Sequence, residues 1–135
     1  MYILLDIGNT RLKASTADSN SISPNENWFD FTDIAEGILV SNVAGSNALP
    51  KEVEGNLKCK FLTWQSPEAR EWLKDIPAGL GADRVAADIG ARSIVRESTL
   101  LIIDAGTCIT VDVIGRDGTV LGGAISPGIN LRLRA

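Results

Sequence analysis

Two stretches of this chain repeat one chemistry-bearing phrase. Residues 2–13 read YILLDIGNTRLK and residues 100–111 read LLIIDAGTCITV. Each runs from an apolar stretch into Asp, one further residue and Gly, then a Thr-containing turn and a second strand-like stretch. Gly8 and Gly106 keep the same spacing that separates Asp6 from Asp104. An apolar run of this size fits a buried strand, and Gly allows a tight reversal with backbone close to a ligand. A carboxylate at a strand end beside a Gly-Thr turn suits a site that holds a metal ion and phosphate oxygens together. A lone Asp-x-Gly is ordinary turn punctuation, because Asp and Gly are turn formers. Repetition, with Asn9-Thr10 in one copy and Thr107 in the other, favours two matched phosphate turns facing a cleft between two halves, and hence phosphoryl transfer.

The elements that must position these turns follow from the pattern between them. Residues 2–6 and 10–16 predict a hairpin around the first turn. Residues 18–27, rich in Ser, Asn and Pro, predict a surface loop. Strands are expected at 28–31, 37–43 and 58–63. Ser66, Pro67 and Glu68 form a helix start, with the helix running to about residue 73. A Pro/Gly loop follows at 74–81. A second helix is expected from Asp83 to about Ile94, its small residues Ala86, Ala87, Gly90 and Ala91 allowing close packing. Residues 100–104 and 109–114 make the second hairpin, Arg116-Asp117-Gly118 turns the chain into a third strand at 119–125, and Pro127-Gly128 precedes the first turn of another helix.

Composition narrows the function classes. The 135 residues carry a net charge of −4 and are 44% hydrophobic, which supports a folded core and argues against a nucleic-acid partner, whose footprint is a basic stripe. No apolar run approaches the ~20 residues of a membrane span, and Asp6 interrupts the only N-terminal apolar run, so neither a membrane anchor nor a signal peptide is expected. The reading is cytoplasmic. Arg11, Lys13, Arg84, Arg132 and Arg134 taken singly are ordinary surface cations. The chain has no His, which excludes Ser-His and Cys-His nucleophiles and a His-ligated zinc site. Its two cysteines, Cys59 and Cys108, lack metal-ligand spacing, and Cys108, within an apolar strand, is expected to be buried and structural.

Three further signals accompany the repeat. Gly81-Ala82-Asp83-Arg84 stands at a helix start, where an Asp also serves simply as a helix-dipole partner. Residues 121–128 read LGGAISPG, whose adjacent glycines mark either close backbone approach or a bulge. Lys13 lies close after the first turn, where a plain surface lysine is the alternative.

The repeated turn resembles the actin, hexokinase and Hsp70 superfamily, in which two related domains each open with such a turn. The ordered set DIGNTRLK, GADR, DAGTCIT and LGGAISPG resembles the type III pantothenate kinase family. The match rests on the ends and middle of the chain, and residues 14–77 add little beyond strand spacing. The resemblance implies an α/β fold: a ribonuclease H-like (actin-like ATPase) domain of mixed sheet with flanking helices at 1–97, then the first strands of a second, truncated domain of the same type at 98–135. It implies ATP-dependent phosphorylation of pantothenate to 4'-phosphopantothenate, the first step of coenzyme A synthesis, by a cytoplasmic homodimer using magnesium and a monovalent cation, potassium or ammonium.

Carried over by motif, the resemblance makes Asp6, Ile7, Gly8, Asn9, Thr10, Arg11, Leu12 and Lys13 the first ATP-phosphate loop, with Asp6 also toward magnesium. Gly81, Ala82, Asp83 and Arg84 meet pantothenate, Asp83 taking the proton of its primary hydroxyl and Arg84 acting as a substrate-facing cation. Asp104 holds the monovalent cation and Thr107 touches ATP phosphate. Such roles suit phosphoryl transfer, which needs positioning, charge neutralisation and one proton acceptor.

The chain also departs from the family pattern. Family members are longer, so this chain reads as an N-terminal fragment that is inactive alone, lacking much of the adenine side and a threonine contributed across the dimer interface. Ala78-Gly79-Leu80 stand where many members carry a Tyr, and Cys108 replaces the usual Ala of DAGTA. Two other readings stay open: a different small-molecule kinase or phosphohydrolase of the superfamily, and a truncated, non-catalytic binding or regulatory relative. A Rossmann domain is set aside because no GxGxxG follows a strand.

Overall fold

The computed structural model describes residues 1–134, which divide into two compact units, Met1–Leu62 and the residues from Thr63 onward. In the first unit, strand β1 (Tyr2–Ile7) is central. It pairs antiparallel with β2 (Leu12–Ala17), which pairs antiparallel with β3 (Ile22–Pro24). On its other side it pairs parallel with β4 (Gly37–Asn42), and β4 pairs parallel with β5 (Cys59–Phe61). The result is a five-stranded mixed sheet of order β3-β2-β1-β4-β5.

Period-two alternation decides its faces. Ile3, Leu5 and Ile7 from β1 join Ile38 and Val40 from β4 in a core closed by Trp28, Ala35 and Val53. Asp6 belongs to the opposite face, because it alternates with these residues and lies between Lys13 and Ser41 in register.

Two expectations for this unit are corrected. Residues 28–31 form a 3₁₀ turn, Trp28–Phe31, rather than a strand. The turn buries Trp28 in the core while Phe29 stays exposed, an arrangement set by one large ring rather than by alternation. The loop expected at 18–27 contains β3. Asp18 accepts the backbone N–H groups of Asn20 and Ser21 at 2.8 Å each, a side-chain-braced turn that returns the chain antiparallel to β2.

The second unit places helices α1 (Pro67–Trp72) and α2 (Ala82–Ile94) with an antiparallel meander of β6 (Leu100–Ala105), β7 (Cys108–Ile114) and β8 (Val120–Pro127), followed by a short helix, α3 (Ile129–Arg132). Leu73, Ile114 and Val120 are the centre of its core, with Ile89, Leu100 and Ile102 packed around them. The buried positions of α2 are Ala82, Val85, Asp88 and Arg92, one stripe at helical spacing. Of the four small residues expected to allow close packing, Ala86, Ala87 and Ala91 are half-buried beside this stripe, whereas Gly90 is exposed and a Cβ there would meet nothing within 4 Å. Arg92 instead fastens the end of the helix, donating to the carbonyl oxygen of Ser98 at 3.0 Å and to that of Arg116.

Cys108 is exposed rather than buried; as the first residue of β7 it borders the turn, beyond the stretch the helices cover. The outward face of this sheet carries Leu101, Ile103 and Leu121, each more than 60% exposed.

The mixed sheet and few helices are consistent with an actin-like, ribonuclease H-like arrangement. The compact units part after Leu62, whereas the boundary read from the repeat, 97/98, marks where the sequence phrase restarts; α2 packs on β6 and β7, so the two descriptions cut the chain differently. No helix among the described residues is long and apolar enough to cross a membrane.

Candidate active site

The first turn is built by the β1–β2 hairpin. The Gly8 N–H donates to the Arg11 carbonyl oxygen at 3.1 Å, closing the reversal. Gly8 and Gly106 both lie outside the positive-φ region, so left-handed backbone is not the reason for glycine at either turn; what glycine supplies there is a backbone bare of side chain. Register pairs Asp6 with Lys13 on one face, and Lys13 Nζ stands 3.8 Å from Asp6 Oδ2. From the other neighbouring strand Ser41 Oγ donates to Asp6 Oδ1 at 3.4 Å. Asn9, Thr10, Arg11 and Leu12 are exposed along the turn. Ile7 differs: its side chain is in the core and its carbonyl oxygen accepts the Val43 N–H at 3.0 Å.

The second turn is closed by the Gly106 N–H donating to the Cys108 carbonyl oxygen at 2.8 Å. The end of β8 is laid against it. The Gly128 N–H donates to the Thr107 carbonyl oxygen at 2.9 Å, and a Cβ at Gly128 would collide with the Gly106 carbonyl oxygen and come within 2.6 Å of that of Thr107. Only glycine allows this approach, which accounts for the last residue of LGGAISPG. Arg132 of α3 ties this end back, donating to the Pro127 carbonyl oxygen at 2.9 Å and to Ser126 Oγ. Asp104 is exposed at the end of β6, paired in register with Thr110.

Gly81-Ala82-Asp83-Arg84 opens α2, with Gly81 at the N-cap and Asp83 in the first turn. Asp83 Oδ1 accepts the backbone N–H of Arg84 at 2.8 Å. The guanidinium of Arg84 reaches the sheet. Its Nε donates to Asp112 Oδ2 at 2.9 Å and its Nη2 to Asp112 Oδ1, a two-point grip that keeps Arg84 firmly charged, its pKa raised above the usual arginine value first by that hydrogen bonding. Gly123 faces Asp112 across β7 and β8. A Cβ there would collide with Arg84 Nη2, Asp112 Oδ1 and the Val111 carbonyl oxygen, so the second glycine of LGGAISPG is the space in which the pair meets.

Within the second unit the structure therefore brings the GADR helix start onto the sheet face that also carries Asp104. Asp112 and Thr110 lie two residues apart on the same face of β7, and Thr110 is opposite Asp104.

Three residues of this arrangement escape a motif reading: Asp112, Asp88 and Gly123 in its specific role. A signal for Asp112 exists in TVDV, an Asp at the inward parity of an otherwise apolar strand. Asp88, one helical turn after Arg84 and on the buried stripe, is wholly inaccessible, and neither of its carboxylate oxygens has a hydrogen-bond partner. Burial, then the charge of Asp112, push its pKa up to about 7, with Arg84 pulling the other way.

Among the described residues no three His, Cys, Asp or Glu side chains gather as a metal cage. Magnesium fits a single carboxylate such as Asp6, since it keeps several waters and binds substrate phosphates besides one or two carboxylates. The exposed Asp104 carboxylate at the end of β6 is an oxygen donor of the type a monovalent cation takes.

A family model described as type III pantothenate kinase matches residues 25–135, a span that begins after the first turn and includes GADR and the second turn. The chain is similar to the type III pantothenate kinase of Dechloromonas aromatica (strain RCB), 33% identical over an alignment covering 100% of this chain and 63% of the relative. That of Janthinobacterium sp. (strain Marseille) is 31% identical, with 97% and 60% covered. That of Porphyromonas gingivalis is 54% identical over a shorter stretch, 42% of this chain and 23% of the relative. The chain thus spans about 60% of the length of the curated relatives it matches end to end.

Proposed function

Because this chain belongs to the type III pantothenate kinase family, we propose that it carries the amino-terminal part of an enzyme that transfers the γ-phosphoryl group of ATP to the primary hydroxyl of pantothenate. The product, 4'-phosphopantothenate, opens coenzyme A synthesis. The observation that supports this reading is the bracing of Arg84 by Asp112, which holds the start of α2, with Asp83, against the face of the β6–β7 sheet that also carries Asp104. A proton acceptor and a phosphate turn then share one rigid support, and phosphoryl transfer is mainly a positioning problem.

In this reading Asp83 accepts the proton of the pantothenate hydroxyl as the hydroxyl oxygen attacks. Its carboxylate is on a helix first turn, aimed by its bond to the Arg84 N–H. Arg84 faces the substrate with the donors that Asp112 does not occupy; a guanidinium has five N–H groups. Gly81 and Ala82 set the path of the chain into that helix. On the nucleotide side, this reading gives phosphate contacts to Asp6 and the stretch Gly8 to Lys13 of the first turn, with Ile7 contributing through the backbone position it secures, and separately to Thr107 of the second turn. Lys13, close to Asp6, neutralises part of the phosphate charge.

Asp6 would hold magnesium and Asp104 potassium or ammonium; bound there, the cations neutralise charge on the phosphate oxygens. The protein is assigned to the cytoplasm as a homodimer. The architecture that goes with this function is an actin-like domain at 1–97 followed by the start of a second at 98–135.

The test supplies ATP, magnesium, potassium and pantothenate to the 135-residue chain and to a form completed to the length of its relatives, and follows phosphopantothenate by mass spectrometry. The completed form turns over and the shorter chain does not. A completed form that phosphorylates a different hydroxyl compound in preference would overturn the substrate assignment. One that folds, binds ATP and transfers nothing would make the chain a non-catalytic relative.

A further inference from the structure

Asp88 is a buried carboxylate that the proposed roles leave unused. It stands one helical turn from Arg84 on the same stripe of α2, and that stripe rests on β7, where Asp112 is 2% exposed and Asp88 itself 0%. Two carboxylates and one guanidinium therefore share an enclosed space. With both acids ionised the group would carry an uncompensated negative charge away from water, a costly state. Because both hydrogen bonds from Arg84 go to Asp112 and neither oxygen of Asp88 has a partner, the proton that balances the group belongs on Asp88.

We propose that Asp88 is a positioning residue that acts through Arg84: when neutral it leaves the guanidinium paired with Asp112 alone and open to an anionic substrate, and when ionised it draws the guanidinium inward as a second acceptor. The proposal rests on the reading of Arg84 as a substrate-facing cation. The burial that lifts Asp88 to about 7 puts the change within the working pH range.

The surrounding charged groups leave Arg84 and Asp112 as its partners. On α2, Arg92 is committed to the Ser98 and Arg116 carbonyl oxygens, and Asp83 bonds the Arg84 N–H. On β7, besides Asp112, the neighbour of matching parity is Thr110, which does not titrate in this range. The β6 strand brings only exposed Asp104, and the charged residues of α1, Glu68, Arg70 and Glu71, are all exposed.

Two measurements test this. The first is the Arg84 Nε–H resonance of the full chain followed by NMR from pH 5.5 to 8.5. Wild-type protein should show a step near pH 7, and Asp88→Asn, whose amide copies the neutral acid in shape, should show none. The second is kinetics of the catalytically competent full-length protein. The KM for pantothenate should rise roughly three- to tenfold from pH 6 to pH 8 with little change in kcat, as expected of one partly screened neighbouring charge, and should stay flat in Asp88→Asn. If Asp88→Asn folds poorly, Asp88→Ala should give the same flat profile. A wild-type Arg84 resonance without a step, or an identical step in Asp88→Asn, would overturn the proposal whatever the activity. A step that vanishes in Asp88→Asn in a protein that leaves pantothenate untouched would keep the proton-linked seat and sink the substrate reading instead.

Discussion

Arg84, in the first turn of α2, grips Asp112 of β7 through Nε and Nη2, and the absence of a side chain at Gly123 leaves the room for that grip. One ion pair thereby joins two sequence motifs, GADR and LGGAISPG, to a strand that neither motif contains. It also separates the two residues of the Asp83-Arg84 step. Asp83 remains at the helix start with its carboxylate turned to local backbone, while Arg84 reaches to the sheet.

Asp112→Ala removes the two-point partner of the Arg84 guanidinium in a largely enclosed space, leaving Asp88 as the remaining nearby carboxylate. Stability should fall by about 2–4 kcal/mol, toward the low side for a broken buried pair because Arg84 keeps some contact with water. Chemical denaturation of both proteins measures it. A loss under 1 kcal/mol would show that the pair does not hold α2 to the sheet.

Asp83→Asn should keep the fold and lower kcat by roughly 10²–10⁴-fold, the usual contribution of a positioned proton acceptor. An Asp that served only as a helix-dipole partner would instead cost about 0.3–1 kcal/mol of stability with near-normal turnover. Comparing kcat with the melting temperature in the completed enzyme separates the two.

Asp104→Ala should remove the dependence of activity on potassium or ammonium, together with most of the activity. Wild-type enzyme equally active in sodium-only buffer would argue that no selective monovalent site exists there. Asp6→Asn should weaken the response to magnesium instead, since an amide is a poorer ligand for that hard cation.

The outward face of the second sheet exposes Leu101, Ile103 and Leu121 at 65%, 61% and 62%. A contiguous apolar sheet face of this kind favours association. The 135-residue chain should therefore sediment as species larger than its 14.4 kDa, and replacing Leu101 and Ile103 with Lys should return it to a monomer of unchanged helix content. A wild-type monomer at high micromolar concentration would show that this face is adequately solvated.

Much of the local structure was legible in the residues themselves. The β1–β2 and β6–β7 hairpins follow from apolar runs ending in Asp-x-Gly, and α2 follows from Gly81 and the residues after it, because strand alternation and helix starts depend on near neighbours. The motif residues at the turns and at the start of α2 were likewise visible, as was the family resemblance they carry.

Periodicity states which face a residue occupies but not what waits opposite. The local pattern at Trp28 predicts a strand, because its size cannot announce that it plugs the first core from a 3₁₀ turn. The apolar neighbours of Cys108 predict burial, because they cannot reveal that cover ends at the strand's first residue. The pairing of Arg84 with Asp112, the unpartnered burial of Asp88, and the backbone contacts that require glycine at 123 and 128 join residues far apart in the chain. Register between strands and the placement of α2 on them decided these, because electrostatic and steric partners are set by distance in space.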